Sequence, residues 1–342
     1  MKNLQCEEAT ADYWEENDMK KLMTILMLAL ALCVTGAAMA ETVFQLGTTV
    51  NEQDSFQVAA EKFAELVYER TNGEYKIEIY PNGTLGGESD MLDSMSMGML
   101  DMGIITSGPF VNFSEMMGVL DMPYLFATNE EAYEILDGEI GQELLGTLEE
   151  AGLKGLAYAE RGFRNVTTSV RPINSAADLK GLKLRVMENE VYTATFKALD
   201  VNAVPMAWAE ALTAMQQGTI EGQENPVNVM YSYKLWEYGQ KYATFDRHSY
   251  ATAIITMSLD VFNTLDEETQ AIFKQSAQEA AEFERAWVAE QEAGQIQALK
   301  DNGMEIVETP DVESFRAAVK PVYEAYPQFA DYIARIQAAL AE

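Results

Sequence analysis

The most regular feature of the chain is an alternation of short stretches with the two-residue apolar period of β-strands and longer stretches with the 3.6-residue period of helices. The predicted strands cover residues 42–46, 75–80, 101–105, 155–160, 182–186, 201–204 and 251–257. The predicted helices cover residues 54–71, 85–100, 128–148, 191–199 and 208–217. Because strands and helices alternate, we expect parallel βαβ units and an α/β fold.

One further helical pattern is much longer than the others. It begins at a Thr264-x-x-Glu267 capping box and continues to about Asn302, immediately before Gly303. At a rise of 1.5 Å per residue, this segment is on the order of 55 Å long, which exceeds the diameter of a small domain. We therefore expect a helix that lies across two lobes, with Gly294 as a point where it can kink.

The length of 342 residues predicts two lobes, because a single hydrophobic core stops growing near about 250–300 residues. Residues 162–179 are polar and rich in turn formers, as a crossing between lobes would be. We predict a first lobe formed by residues 41–162 and about 251–285, and a second lobe formed by residues 163–250 and about 286–342.

The amino-terminal residues have the pattern of a secretory signal peptide. A basic start at residues 19–21 precedes an apolar run at residues 22–34, and residues 38–40 match an A-x-A cleavage site. Because the run is too short to span a bilayer, we predict that residues 19–40 direct export to the periplasm and are removed after Ala40. Residues 1–18 are acidic, unlike the start of a signal peptide, and Met19 is the predicted true start.

The chain is strongly acidic, with 55 Asp and Glu residues, 23 Lys and Arg residues and a formal net charge of −32 at pH 7. Such a field disfavours nucleic acid and anionic membrane surfaces as partners. It also repels a small anion, although salt screens this repulsion beyond a Debye length of about 8 Å. A site for an anion must therefore gather its positive charge locally, from among nine arginines.

Arg185 is the first candidate for such a site. The alternation of Leu182, Leu184 and Val186 predicts a buried strand, and Arg185 lies on the opposite face near its end. The planar guanidinium offers five donors, and a carboxylate or phosphate matches two of them in parallel. We expect Arg185 to bind the carboxylate of a small organic acid; the competing interpretation is a surface ion pair.

Arg164 and Asn225 are the other polar candidates. Arg164 follows Gly162-Phe163, and Asn225 precedes Pro226, which favours an extended backbone in the residue before it. An asparagine side chain offers two donors and an acceptor to one ligand, although capping of its own turn is the alternative role. Two arginines and one asparagine that converge on a cleft would form an anion site.

Other chemistries have no motif in the chain. The sequence contains no glycine-rich dinucleotide fingerprint, no P-loop and no metal-ligand spacing, so neither a cofactor nor a metal is predicted. The single histidine, His248, has no accompanying Ser or Cys motif, and we expect it to make a structural hydrogen bond. We interpret the protein as a monomeric binding protein and not as an enzyme.

Four motifs, taken in order, resemble those of the DctP family, the extracytoplasmic solute-binding proteins of tripartite ATP-independent periplasmic (TRAP) transporters. The motifs are Gly162-Phe163-Arg164 with Thr167-Thr168-Ser169, Leu179-Lys180-Gly181-Leu182-Lys183-Leu184-Arg185-Val186, Val204-Pro205-Met206-Ala207-Trp208-Ala209-Glu210 and Gly222-Gln223-Glu224-Asn225-Pro226. The resemblance covers essentially all of residues 41–340. It implies a two-lobed, type II-like periplasmic-binding-protein fold with a long helix that spans both lobes. It also implies docking of the loaded protein on small and large membrane subunits that use an ion gradient.

The resemblance also implies roles for individual residues. Arg185 matches the family's carboxylate-binding arginine, Arg164 its second cleft arginine, and Asn225 the asparagine that contacts the same carboxylate. Trp208 stands where the family places an aromatic or apolar wall. Glu88 matches an acidic position that takes ligand hydroxyls, with a hinge or surface role as the alternative.

Three positions bear on the substrate. Thr49 and Thr106 stand where sialic-acid binders of the family carry Asn and Glu, and Glu188 stands where they carry Asn. These differences argue against sialic acid and leave open C4-dicarboxylates, sugar acids such as uronates, and other hydroxy acids. The alternative function is a solute-binding protein that serves an ABC importer or a membrane-bound sensor.

Overall fold

A nine-stranded mixed sheet runs through residues 41–341, the part of the chain that the computed structural model describes. Its strands are β1 (Thr42–Gly47), β2 (Tyr75–Tyr80), β3 (Met102–Thr106), β4 (Leu153–Thr168), β5 (Lys183–Val186), β6 (Asn202–Pro205), β7 (Gly222–Asn225), β8 (Tyr242–Ser258) and β9 (Glu305–Val307). The predicted signal peptide and the predicted start at Met19 lie outside the described residues.

Two long antiparallel strands, β4 and β8, form the middle of this sheet. The strands follow the order β2-β1-β3-β8-β4-β7-β5-β6, and β9 pairs with the start of β8. The end of β8 pairs with β3, whereas the end of β4 pairs with β7. We call β1–β3 the first wing and β5–β7 the second wing; they are attached to opposite ends of the β4/β8 ribbon.

The pairs β1/β2, β1/β3, β5/β6 and β5/β7 are parallel, as expected for βαβ units, whereas the β4/β8 ribbon is antiparallel, so the sheet is mixed. The turn-rich character predicted for residues 162–179 is wrong in its first part, because β4 continues to Thr168; the crossing between lobes stays a prediction. The polar side chains at this end of β4 are buried and hydrogen-bonded within the protein, so they do not mark a surface loop.

A large irregularity separates the two ends of the ribbon. Arg164 pairs with Ser249 and Val166 pairs with Thr244, so residues 245–248 of β8 stand opposite a single residue of β4. Arg247 in this bulge has a positive φ of 47°. The Val166 backbone N–H donates to Asp246 Oδ1 at 3.1 Å, which fixes the bulge to β4.

Eleven α-helices lie in the described residues. They are α1 (Ser55–Arg70), α2 (Glu88–Ser96), α3 (Asn129–Asp137), α4 (Glu139–Gly146), α5 (Glu190–Ala198), α6 (Trp208–Gln216), α7 (Val227–Ser232), α8 (Leu259–Phe262), α9 (Glu267–Asp301), α10 (Val312–Ala325) and α11 (Ala330–Ala339). The helix predicted over residues 128–148 is two helices, because the extended backbone of Gly138 separates α3 from α4. No helix in residues 41–341 has the length and apolar character needed to cross a membrane.

Helix α9 confirms the long helix predicted near the carboxyl end. Its 35 residues correspond to about 52 Å, and it continues through Gly294 without interruption. The predicted capping box at Thr264 is wrong: Asp266 is the N-cap, and its Oδ1 accepts from the Thr269 backbone N–H at 2.8 Å.

Two separate apolar clusters hold the two ends of α9. Phe273, Ala277 and Ala280 belong to a cluster with α1 and the first wing, in which the Phe273 ring meets Phe44, Phe63 and Tyr75 edge-on. Leu299 belongs to a second cluster with Met215 of α6 and Met230 of α7. The helix therefore packs against both parts of the α/β fold, as predicted.

Candidate functional site

Strand β5 carries Arg185 to the edge of a cavity. The strand lies between β6 and β7, and the Arg185 side chain is only 5% exposed. Its Nε donates to the Met206 carbonyl at 2.9 Å, and its guanidinium lies 5.6 Å from the centroid of the Trp208 ring. A carbonyl and an aromatic face thus orient the guanidinium without neutralising its charge.

Arg185 differs from the other buried arginines of residues 41–341. Arg161, Arg164 and Arg285 are paired with Asp54, Glu224 and Asp137 respectively. Arg185 has no carboxylate within ion-pair distance in this part of the chain. Burial lowers the pKa of Arg185 to about 10, although Glu224 at longer range opposes this shift. The guanidinium is still charged at neutral pH and has no counter-ion among residues 41–341.

The cavity beside Arg185 has a volume of about 310 Å³, at the lower end of the range for small-molecule sites. Five predicted site residues line it, namely Thr49, Glu88, Arg185, Glu188 and Trp208. Other lining residues are not among the predicted site residues, for example Asn82, Pro109, Met187, Leu212 and Tyr233. The cavity therefore brings together groups from both wings and from the loops between them.

Glu88 and Thr106 form a unit at the edge of the first wing. Glu88 opens α2, and its Oε1 accepts from the Thr106 backbone N–H at 2.9 Å and from Thr106 Oγ1 at 2.7 Å. Thr106 is buried at the end of β3 and does not line the cavity. It therefore orients the Glu88 carboxylate, whose Oε2 accepts no hydrogen bond from the described residues.

Tyr233 connects the two sides of the cavity. Its hydroxyl donates to the Thr49 carbonyl at 3.0 Å, and its ring meets Trp208 edge-on with centroids 5.1 Å apart. Thr49 follows the first strand of the first wing, whereas Tyr233 follows α7. Burial raises the pKa of Tyr233 to about 12, so its hydroxyl remains a donor at neutral pH.

Arg164 is completely buried and does not line the cavity. Its Nε and Nη2 donate to the Glu224 carboxylate, the latter at 2.9 Å, and Nη2 also donates to the Glu224 carbonyl at 2.7 Å. His248 Nε2 lies 3.2 Å from Glu224 Oε2, and His248 Nδ1 lies 2.9 Å from Asp246 Oδ2. The structural hydrogen bond expected for His248 is therefore present. Arg164, Glu224, His248 and Asp246 form a buried chain of alternating charges near Arg185.

Opposing effects set the pKa values in this chain of charges. Burial disfavours the charged forms, but Asp246 and Glu224 outweigh it and raise the pKa of His248 to about 9. Burial likewise opposes ionisation of Glu224, yet Arg164 and His248 lower its pKa to about 2. Glu224 is thus a permanent counter-ion for Arg164. Glu224 lies inside one of the sequence motifs, but no sequence pattern predicts its ion pair with Arg164.

Asn225 also lies outside the cavity lining. Its Nδ2 donates to Gln223 Oε1, and Gln223 Nε2 donates to Thr167 Oγ1 at 2.8 Å. All three side chains are buried between β7 and β4. Direct ligand contacts from Arg164 and Asn225 stay predictions.

A second polar cavity of about 250 Å³ lies beside the β4/β8 bulge. Two arginines line it: Arg161, which is ion-paired with Asp54, and Arg247, whose guanidinium lies 3.8 Å from the centroid of the Phe163 ring. Glu130, Glu160 and Glu292 also line this cavity, so its charge disfavours an anion. Residues 41–341 contain no cluster of three His, Cys, Asp or Glu residues suited to a metal ion.

The sequence of this chain is similar to those of known proteins. A family model described as bacterial extracellular solute-binding protein, family 7 (DctP) matches residues 46–328. The 2,3-diketo-L-gulonate-binding periplasmic protein YiaO of Escherichia coli K12 is 36% identical over 303 residues, which are 87% of this chain and 92% of that protein.

Solved structures with the same fold include two TRAP periplasmic solute-binding proteins. The protein from Polaromonas sp. JS666, bound to D-erythronate, is 40% identical and has a TM-score of 0.85, with 87% of this chain and 99% of that chain covered. The protein from Roseobacter denitrificans OCh 114, bound to L-galactonate, is 33% identical with a TM-score of 0.83, and 87% and 99% of the two chains are covered.

Proposed function

Because this chain belongs to the DctP family of TRAP extracytoplasmic solute-binding proteins, we propose that it captures a hydroxylated monocarboxylate, such as a sugar acid, in the periplasm. The observation that carries this proposal is the buried Arg185 guanidinium, which lines a small cavity and has no counter-ion among the described residues. A ligand carboxylate would supply the missing charge through two parallel hydrogen bonds.

The charges of the cavity favour one carboxylate over two. Glu88 and Glu188 line it together with Arg185, and the described lining contains neither a lysine nor a second arginine. Two carboxylates about 4 Å apart repel by roughly 4 kcal/mol at an effective dielectric constant of about 20. A second ligand carboxylate would meet this repulsion without a cation to offset it. Of the acids left open by the sequence, sugar acids therefore fit better than C4-dicarboxylates.

Hydroxyl groups on the ligand would complement the remaining polar groups. Glu88 Oε2 is an unoccupied acceptor among the described residues, and Thr49 and Asn82 line the same cavity. Trp208 and Leu212 add apolar surface against which the carbon chain can pack. D-erythronate and L-galactonate, the ligands named for the two similar structures, both combine one carboxylate with several hydroxyls.

Calorimetric titration of the purified protein tests the ligand class. We expect D-erythronate, L-galactonate or a uronate to bind at least about 100-fold more tightly than succinate or malate, which corresponds to roughly 3 kcal/mol. A thermal-shift series with the same acids provides a second readout, since a bound ligand stabilises the folded state by mass action. Tighter binding of the dicarboxylates would contradict the proposal.

Replacement of Arg185 tests the role of its guanidinium. Arg185→Lys keeps a positive charge but removes the planar fork, so we expect the affinity for the acid to fall by one to two orders of magnitude, with charge-assisted hydrogen bonds worth roughly 1.5–3 kcal/mol each. The matched control is Arg335→Lys, at a surface arginine paired with Glu143. Equal affinities for the Arg185→Lys variant and the wild type would exclude the assignment.

Capture is proposed to work by closure of two lobes with the division predicted from the sequence, residues 41–162 and about 251–285 against residues 163–250 and about 286–342. A ligand that contacts both sides shifts the hinge equilibrium by its extra affinity for the closed form. The loaded protein then delivers the acid to small and large TRAP membrane subunits. Uptake that requires an ion gradient supports this step, whereas uptake that requires ATP would favour the ABC-importer alternative.

A further inference from the structure

Met187 forms part of the cavity wall beside Arg185. It lies directly after the end of β5, two residues beyond Arg185, and both residues line the cavity. The methyl end of Met187 packs against Gly108, the first residue of a 3-10 helix, Gly108–Asn112. A Cβ atom at residue 108 would collide with Met187 Cε and lie 3.6 Å from Met187 Sδ. The missing side chain of Gly108 therefore makes the room that the thioether occupies.

The two backbones on either side of this contact are tied together. Asn189 Nδ2 donates to the Gly108 carbonyl at 2.8 Å and to Asp121 Oδ2 at 2.7 Å. Asn189 Oδ1 accepts from the backbone N–H of Val191 at 2.7 Å and so caps α5. The Asn189 and Asp121 side chains are buried. An atom added at residue 108 would therefore displace the flexible end of Met187 and not the strand or the turn.

A displaced Met187 side chain has the cavity on one side, because Met187 lines it. The three atoms nearest to the added Cβ all belong to the Met187 side chain. Methionine has three rotatable bonds and adapts its shape readily. A side chain added at residue 108 would thus push the end of Met187 aside and make the ligand cavity smaller.

We propose that Met187, seated against Gly108, sets the length of the acid that the cavity accepts. This inference rests on the proposed function, in which Arg185 holds the carboxylate at one end of the ligand. The thioether offers neither a charge nor a strong hydrogen bond to a ligand hydroxyl. Its contribution is to limit the space for the carbon chain and for the hydroxyls farther from the carboxylate.

Gly108→Ala tests the proposal in one direction. The φ angle of Gly108 is outside the left-handed region, and the backbone strain on alanine comes from Pro109, which disfavours helical backbone in the residue before it. We expect Met187 to move into the cavity and the affinity for the six-carbon acid L-galactonate to fall at least about tenfold relative to that for the four-carbon acid D-erythronate, as is usual for misfits of one methylene or more. Calorimetric titration of both acids gives this ratio.

Met187→Ala tests the opposite direction and does not depend on how well Gly108→Ala folds. Removal of the thioether should shift the same ratio about tenfold towards L-galactonate. In this background, Gly108→Ala should leave the ratio unchanged, because no thioether remains to be displaced. Met99→Ala, at a side chain that is 70% exposed, is the matched control and should have the wild-type ratio.

The outcomes separate this inference from the proposed function. If the wild type binds neither these acids nor any other hydroxylated monocarboxylate, the proposed function fails and the inference fails with it. If the wild type binds both acids but Met187→Ala leaves the ratio unchanged, the inference alone is overturned. An equal effect of Gly108→Ala with and without Met187 would overturn it as well.

Discussion

Among individual residues, Glu224 is the one whose pairing explains why Arg185 can bind a ligand. Two buried arginines, Arg164 and Arg185, lie near this carboxylate, but only Arg164 is within hydrogen-bonding distance of it. Since a buried ion pair offers little net stability compared with apolar packing, the pairing of Arg164 has its main consequence for charge distribution. It neutralises the Glu224 charge, and Arg185 has no carboxylate within ion-pair distance among residues 41–341.

The His248 pair with Asp246 and Glu224 predicts a specific dependence of stability on pH. A base whose pKa rises on folding stabilises the protein below its unfolded value and loses this contribution as pH rises through the folded value. With a folded pKa of about 9 against 6.5 for the free side chain, the free energy of unfolding should fall by up to roughly 3 kcal/mol between pH 6.5 and 9.

Denaturant unfolding of the wild type and of His248→Gln across this range measures the effect. The variant lacks the titrating group, so its stability should change less between pH 6.5 and 9 than that of the wild type. Burial raises the pKa of Asp121 and of Glu160 to about 7, and these groups titrate in both proteins. Parallel curves for the two proteins would rule out a stabilising charge on His248.

The strand pattern of residues 182–186 predicted Arg185, and the resemblance to the DctP family predicted Trp208. Both side chains line one cavity. The pairing of Arg164 with Glu224 and the contact of Met187 with Gly108 depend on segments that are distant in the chain. No periodicity or motif specifies such contacts, so Arg164 was assigned to the cleft without its counter-ion.

Among the elements, helix α9 shows how a helix cap predicted from the sequence can lie two residues away from the observed one. Thr264-x-x-Glu267 fits the capping-box pattern, but Thr264 Oγ1 donates to the Val261 carbonyl and belongs to the preceding turn. Asp266 instead accepts from Thr269, and its pKa is lowered by these hydrogen bonds to the first helical turn. Both residues offer a side-chain oxygen within three positions of the first helical residue, Glu267, and only the path of the backbone distinguishes them.

Single alanine variants distinguish these two residues. Asp266→Ala should lower the free energy of unfolding by about 1 kcal/mol, the usual value of an N-cap. Thr264→Ala should cost less, because its hydroxyl satisfies a carbonyl that water can reach. Thermal and denaturant unfolding of both variants measure the difference. A larger loss for Thr264→Ala would restore the capping box predicted from the sequence.

Strands β7 and β8 mark the limit of pattern-based prediction for this fold. Gly222–Asn225 contains no apolar side chain, and residues 246–248 of β8 are all charged or titratable. Apolar alternation detects strands that face an apolar core. These strands bury polar side chains instead. The two-residue apolar alternation that correctly predicted a strand at residues 251–257 is therefore absent from the first half of β8.

The molecule as a whole repels the kind of ligand proposed for it. A net charge of −32 opposes the approach of an anion, whereas Arg185 acts only inside the cavity. Long-range fields mainly affect association rates and are screened by salt. The protein should therefore bind a sugar acid more slowly at low ionic strength.

Stopped-flow fluorescence can measure this effect, with Trp208 in the cavity wall as the reporter. The association rate constant for D-erythronate or L-galactonate should rise by a few fold when the salt concentration increases from about 10 mM to 150 mM, because the Debye length falls from about 30 Å to 8 Å. A rate constant that decreases with added salt would show that a local positive field dominates the approach.

Several polar contacts connect the loops of the first wing to the segment around α7. Asn51 Nδ2 donates to the Ser232 carbonyl at 3.0 Å, and Ser232 Oγ donates to Asp54 Oδ2 at 3.2 Å. Asp54 Oδ1 also pairs with Arg161 at 2.6 Å and accepts from the Phe56 backbone N–H, which caps α1. A single carboxylate thus ties α1, β4 and α7 together.

Because α9 is continuous, the distance between its two ends can serve as a fixed reference distance in fluorescence measurements. Both cysteines of the sequence precede residue 41, so a cysteine introduced into the described part carries a dye at one chosen position after cleavage of the predicted leader. Dyes at the two ends of α9, about 52 Å apart, should give the same energy-transfer efficiency with and without an acid. Dyes on the two wings, calibrated against that pair, then report any movement of one wing relative to the other in single molecules.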